Sequence, residues 1–237
     1  MSTEEKTHPK PSSDAITPLP IVGIGASAGG LAAFEAFFSG MPAGKKPGMA
    51  FVLVQHLAPD HTSILSDLIR RCTHMEVFEV EDGMPVRANC AYVIPPGRDM
   101  ALLNGSLQLL EPAAPRGLRL PIDFFFRSLA QDQGERAIGV VLSGTGSDGA
   151  AGVRAIKAEG GMVMAQLVSS AEFAGMPQSA IATQLVDYEL PPAEMPAQLI
   201  AYVTHAFGRL PRAVQTPGGG SENALKAIFV LLRAKIG

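Results

Sequence analysis

Two runs of this chain, 50–54 and 137–142, are apolar at every position. A strand wetted on one side alternates apolar and polar residues, whereas a strand covered on both faces does not. Each run stops abruptly. The first ends in Gln55-His56, and the second in Ser143-Gly144-Thr145-Gly146-Ser147-Asp148-Gly149, before a helical pattern at about 150–158. Ile21-Val22-Gly23-Ile24 behaves alike: it breaks into Gly25-Ala26-Ser27-Ala28-Gly29-Gly30, and an apolar-periodic stretch follows over 31–41. Strand and helix alternate repeatedly. The expected fold is therefore α/β: a doubly wound, mostly parallel sheet with helices on both faces. Asn104-Gly105, flanked by Ala101-Leu102-Leu103 and Leu107-Gln108-Leu109, adds a peripheral β-hairpin.

The remaining punctuation fills in the order. Asp60-His61-Thr62 can cap a helix running to about Arg71, and 76–80 alternates as a half-exposed strand. Strands are expected at 90–94 and 162–165, with a short edge strand at 187–190. Helices are expected at 121–131 and 195–207, and at 178–183 after a turn at 174–177. Residues 1–18 are polar and read as a disordered tail. Residues 19–209 are expected to form a single α/β domain. Residues 210–221 are a Pro/Gly-rich linker, and 222–237 carry a helical pattern that can begin a following domain.

Composition narrows the function. With 237 residues, 47% of them hydrophobic, the chain can bury one large core, which the absence of Trp makes mainly aliphatic. A net charge of -3 gives no case for nucleic acid. Cys72 and Cys90 do not make a disulfide framework and fit free thiols in a reducing cytosol. No Cys/His cluster has metal-site spacing, so no metal is expected. No apolar run approaches a membrane span, and the start lacks a signal-peptide core; a cytoplasmic location follows as the expectation.

In an open parallel sheet, ligands gather outside the carboxyl ends of the strands. Gly25-Ala26-Ser27-Ala28-Gly29 matches the nucleophile-elbow pattern G-x-S-x-G, a strand-to-helix turn that lifts a Ser hydroxyl into the open. Gly23-x-Gly25-x-x-Ala28 also satisfies a dinucleotide-binding fingerprint. That motif wants an acid after the second strand, where this chain has Gln55-His56. The second strand's end offers His56, and the later apolar strand leads to Asp148. Ser, His and Asp at three junctions on one rim are a nucleophile, a general base and an orienting acid. Taken singly, His56 could be a hydrogen-bonded turn residue and Asp148 a cap of the helix after it. His61, His74 and His205, and the acids Asp82 and Asp132, fit the rim less well.

The motifs together resemble a known family. Ile24-Gly25-Ala26-Ser27-Ala28-Gly29-Gly30, Val54-Gln55-His56-Leu57-Ala58-Pro59, Val93-Ile94-Pro95-Pro96-Gly97 and Leu142-Ser143-Gly144-Thr145-Gly146-Ser147-Asp148-Gly149-Ala150 are similar to the catalytic domain of CheB-type chemotaxis protein-glutamate methylesterases. Gly175-Met176-Pro177 and Arg119-Leu120-Pro121-Ile122-Asp123 match further segments. The resemblance covers about 19–203. It implies a serine hydrolase demethylating glutamate 5-methyl esters on the cytoplasmic domain of chemoreceptors, with release of methanol. Deamidation of Gln by the same route is open to such chemistry. It implies Ser27, His56 and Asp148 as the triad, no cofactor, and a rim for oxyanion and substrate drawn from Ala28, Gly29, Thr145, Gly146 and Met176. The alternatives are a silent docking domain of the same fold and a nucleotide-binding α/β protein.

Three departures stand out. Ala28 replaces the Thr or Ser that many members carry after the nucleophile. Thr145 and Ser147 stand where many have Met and Asn. The segment before the first strand is too short for the phospho-receiver domain usual in the family. The Ala28 and Thr145 variants, with 223–233, resemble methylesterase–methyltransferase hybrids, so a fused or partner methyltransferase is implied. Without a receiver domain, Ser27, His56, Thr145 and Met176 are expected to form a rim open to solvent.

Overall fold

The computed structural model describes residues 19–44, 46–55, 64–115 and 118–207. The expectations for 1–18, 210–221 and 222–237 lie outside these residues. The chain runs β1 (Ile21–Ala26), α1 (Gly30–Ser39), β2 (Ala50–Gln55), α2 (Ile64–Cys72), β3 (Glu76–Glu79), β4 (Met84–Pro85) and β5 (Cys90–Val93). It continues through β6 (Asp99–Leu103), β7 (Ser106–Leu110), α3 (Pro121–Gln133), β8 (Ala137–Val141) and α4 (Ala150–Ala158). It then forms β9 (Met162–Gln166), α5 (Gly175–Ile181), β10 (Tyr188–Leu190) and α6 (Met195–Phe207).

Seven strands form one sheet in the order β10-β9-β8-β1-β2-β5-β3, and every neighbouring pair is parallel. Both faces are covered. Val22, Ile24, Phe51 and Leu53 pack with Phe34, Phe37 and Phe38 of α1, Ile69 of α2 and Leu199 of α6. Val52, Val54 and Val141 pack instead with Ile122, Phe125 and Phe126 of α3, Val153 of α4 and Met176 of α5. Because alternate residues of one strand enter different cores, β2 and β8 had to be apolar throughout. The doubly wound fold is thus the observed one.

The chain moves from β1 to β2 on one side of the sheet, and from β8 through β9 to β10 on the other. Its direction reverses between β1 and β8, and the helices after them, α1 and α4, cover opposite faces. The loops beyond β1 and β8 therefore diverge and leave a crevice between them.

The hairpin is present as β6–β7, but it belongs to a separate three-stranded sheet completed by β4. Two-residue β4 is too short to leave a periodic signature. Asn104 and Gly105 both have positive φ, 50° and 71°, as a tight I′ turn requires. Asp132 accepts from the Asn104 amide and, at 3.3 Å, from the Gly105 amide. Asp82 accepts from the Leu109 amide at 2.9 Å. These acids serve the small sheet.

One boundary requires correction. The helix expected from 178 begins at Gly175. Pro177 falls in its first turn, where a missing amide hydrogen costs nothing, so Gly175-Met176-Pro177 is part of the helix rather than a lead-in.

Candidate active site

Ser27 sits directly after β1, at the edge of the crevice. Its amide donates to the Ser143 carbonyl at 2.9 Å, and the Gly30 amide donates back to the Ser27 carbonyl at 2.9 Å. The turn closes on Gly29, whose φ of +69° suits glycine. A Cβ there would also lie 2.7 Å from the Ser143 hydroxyl oxygen. The last glycine of G-x-S-x-G therefore meets two independent demands.

The first glycine of that pattern works differently. A Cβ on Gly25 would lie 2.4 Å from Ile122 Cγ2, and one on Gly23 would lie 2.9 Å from the Phe125 ring. Both glycines stand inside β1, where they let α3 lie close against the strand. The dinucleotide fingerprint needs such glycines at the phosphate turn, so its spacing here arises from helix–strand packing.

Asp148 is 3% exposed. It does not cap the helix that follows it. That role falls to Gly149, at φ +97° and with no side-chain bond. The Asp148 carboxylate instead accepts from the amides of Ile122 (3.0 Å) and Asp123 (2.8 Å), in the first turn of α3. A helix N-terminus favours a carboxylate there. Asp123, also 3% exposed, returns the contact by accepting from the Gly152 amide of α4 at 2.7 Å. Each acid thus holds the start of the helix that carries or follows the other. Burial pushes the Asp123 carboxyl above the usual range. The Asp148 charge adds to this, while the Gly152 and Gly149 amides and Arg127 oppose it.

Thr145 and Gly146 are exposed, and Ala28 and Gly29 are partly exposed, around the mouth of the crevice. Among the described residues, the amides of Ala28 and Thr145 donate to no backbone carbonyl. Met176 corrects the expectation of an open rim. It is 1% exposed, and its sulfur lies 2.1 Å from where a Cβ on Gly144 would be. Its amide donates to the Gly144 carbonyl at 2.9 Å. Met176 is the packing beneath the loop. The same construction puts Gly144 next to Ser27, for its Cβ would lie 3.0 Å from Ser27 Cβ.

His56 and His61 lie outside the described residues. β2 ends at Gln55, in register with Ala26, and the buried Gln55 Oε1 has no partner among the described residues. His74 is exposed just before β3, lining a cavity of ≈ 700 Å³ with Cys72 and Cys90, both free thiols. It sits at the opposite, amino end of the strands. His205 is exposed on α6.

Sequence reasoning missed a buried polar chain beneath the elbow. Gln166, at the end of β9, accepts from the Ser143 amide at 2.8 Å and donates to the Ser170 carbonyl at 2.9 Å. The Ser143 hydroxyl donates to the Ala28 carbonyl at 2.9 Å and accepts from the Phe173 amide at 3.0 Å. The available signal was a Ser and a Gln closing apolar strands, positions where a polar group is buried and must be paired.

The CheB methylesterase family model matches residues 22–199, three quarters of the chain. The chain belongs to the CheB methylesterase family. A "Protein-glutamate methylesterase/protein-glutamine glutaminase" of Moorella thermoacetica is 34% identical over 191 residues, covering 78% of this chain and 45% of that one. A similarly named protein of Anaeromyxobacter dehalogenans is 34% identical over 199 residues, covering 81% and 56%. An uncharacterised 104.1 kDa protein of Rhodobacter capsulatus is 48% identical over 126 residues, 53% of this chain but 13% of its own length. The chain spans about half the length of the named methylesterases it matches. The crystal structure of the CheB methylesterase catalytic domain of Thermotoga maritima superposes with a TM-score of 0.71 at 30% identity, covering 78% of this chain and 99% of that one. The CheB family is a family of esterases, and the fold shared with it carries the crevice described above.

Proposed function

We propose that this chain hydrolyses glutamate 5-methyl esters on the cytoplasmic domain of a chemoreceptor, with Ser27 as nucleophile, His56 as general base and Asp148 as the acid that orients the imidazole. The observation that carries this is the placement of Ser27 and the 143–149 loop side by side at the switch in strand order, in a chain of the CheB family. His56 enters on sequence alone, as the residue after Gln55 in the motif Val54-Gln55-His56-Leu57-Ala58-Pro59.

In this reading His56 takes the Ser27 proton as the hydroxyl oxygen attacks the ester carbonyl. The developing oxyanion takes amide hydrogens, with Thr145 and Ala28 the candidates beside the nucleophile. One such donor is worth about 3 kcal/mol in the transition state. The imidazolium, held by Asp148, returns its proton to the departing methoxide, and methanol leaves. Water, activated by the same imidazole, then cleaves the acyl-enzyme to a receptor carboxylate. The same route on a Gln side chain would release ammonia. No cofactor takes part in these steps. A methyltransferase, on this chain or a separate one, is the class of enzyme that must supply the ester. In this reading the protein works in the cytoplasm, where the receptor domain it acts on lies; no described helix is long and apolar enough to cross a membrane.

The test is methanol release from a methylated chemoreceptor fragment, with Ser27→Ala as control. Release by the wild type and none by the variant is the expected result. Equal release from both overturns the serine mechanism.

A further inference from the structure

We propose that Ser143 is a positioning residue for the nucleophile: its hydroxyl and its carbonyl together hold the Ser27 turn in register with the loop that ends in Asp148. The proposal rests on the reading of Ser27 as nucleophile and extends it to a residue that does not touch substrate.

The two contacts reach adjacent points of one turn. The Ser143 carbonyl accepts from the Ser27 amide at 2.9 Å, and its hydroxyl donates to the Ala28 carbonyl at 2.9 Å. A hydroxyl has one proton, and the Phe173 carbonyl, at 3.3 Å, is the poorer acceptor for it. The Phe173 amide donates to the same hydroxyl oxygen at 3.0 Å, so both roles of the group are filled. Ser143 is 1% exposed. A buried hydroxyl is tolerated when its bonds are made, and removing it leaves the Ala28 carbonyl and the Phe173 amide without their partner.

Ser143 is itself held from behind. Gln166, 2% exposed, receives the Ser143 amide at 2.8 Å, and its own amide group is fixed by the Ser170 carbonyl at 2.9 Å. The line runs from β9 through the end of β8 to the turn after β1, across three neighbouring strands. Gly29 records the closeness of the fit, since any Cβ there would strike the Ser143 oxygen. Rotation of the Ser27–Ala28 peptide moves the nucleophile and the Ala28 amide together. Ser143 bonds to the peptides on either side of that one, Ala26–Ser27 through the amide and Ala28–Gly29 through the carbonyl, and holding both ends fixes the attack angle and one side of the oxyanion site.

A positioning role and a merely structural one predict different measurements. Full-length wild type, Ser143→Ala and Ser143→Cys are compared for labelling of Ser27 by a fluorophosphonate probe and for kcat and KM of methanol release, well below their melting temperatures. Cys keeps the volume and a weak donor. The expected result is a loss of 10-fold or more in labelling rate and kcat for Ser143→Ala, with KM within 2-fold of wild type, and an intermediate loss for Ser143→Cys. Wild-type labelling and kcat in a folded Ser143→Ala protein, with only a lowered melting temperature, overturn the proposal. If Ser143→Ala does not fold, Gln166→Met, which unseats Ser143 from behind, must show the same loss of kcat at constant KM; a wild-type kcat there overturns it equally. A wild type that is not labelled at Ser27 overturns the nucleophile reading, and Ser143 then has nothing to position.

Discussion

The two faces of the central sheet are built on different rules. The face under α1, α2 and α6 is filled with large side chains. Phe37, Phe38 and Phe51 stack edge to face with centroids 5.2 to 6.0 Å apart, among aliphatic side chains such as Val22, Ile24 and Leu53. The face under α3 and α4 trades bulk for closeness. Gly23, Gly25 and Gly139 present no side chain, and α3 and α4 approach until a Cβ at any of them would meet a ring or an isoleucine within 3 Å. Into this tighter space the fold places two carboxylates, Asp123 and Asp148, both paired with helix-start amides. One face supplies burial energy. The other surrenders some of it to fix polar groups at the rim of the crevice.

That contrast can be broken or sharpened by substitution. The largest effect belongs to Asp148→Asn. It turns one of the two oxygens that accept α3 amides into a donor, so some stability is lost, and it should lower kcat per folded molecule by ~10⁴, because an amide cannot hold the imidazole tautomer that a carboxylate selects. Activity within 10-fold of wild type would reduce Asp148 to a cap of α3. Phe37→Ala, on the other face, should cost about 3–5 kcal/mol in chemical denaturation, while kcat per folded molecule stays near wild type. A selective loss of kcat would erase the distinction between the faces.

Gly25→Ala should cost about 1–3 kcal/mol, as overpacked cores do. It should also slow fluorophosphonate labelling, because displacing Ile122 disturbs the amide that Asp148 accepts. A stability loss without slower labelling would detach α3 from the site. The smallest effect is a pH dependence. Burial raises the Asp123 carboxyl in the folded protein above its unfolded value. The folded state therefore binds the proton more readily, and stability from this group is gained as pH falls through the raised value toward the ordinary carboxylate range. Asp123→Asn keeps an acceptor for Gly152 and removes the titration. Its melting temperature should gain on wild type at pH 7 and lose that advantage as the pH drops through the same window. A constant difference across the range would show that Asp123 titrates as it does in the unfolded chain.

Much of the architecture was legible before any coordinates. Unbroken apolar runs announce strands buried twice over, and the helical pattern of 195–207 matches α6 at both ends. Asn104-Gly105 announced its hairpin. The strand-end rule pointed to Ser27 and Asp148. The role of Asp148 was harder to read. Its position before a helix suggested the cap of α4, whereas its carboxylate reaches α3, 25 residues earlier in sequence. Met176 belongs to a recognisable motif, but motif membership carries no information about burial, and only the packing shows it beneath the loop.

Local sequence determined what each segment is. Periodicities of two and 3.6 residues, a glycine where φ is positive and a proline where no amide hydrogen is needed all act within a few residues, so the chain displays them directly. Tertiary structure alone decided which polar groups meet. Ser143 bonds to Ala28 across 115 residues and to Gln166 across 23, and nothing in either neighbourhood names the partner. Such pairs depend on strand order, register and the closeness of α3 to β1. A hydrogen bond tolerates only a few tenths of an ångström, so it forms only once the packing of the whole sheet has set those distances.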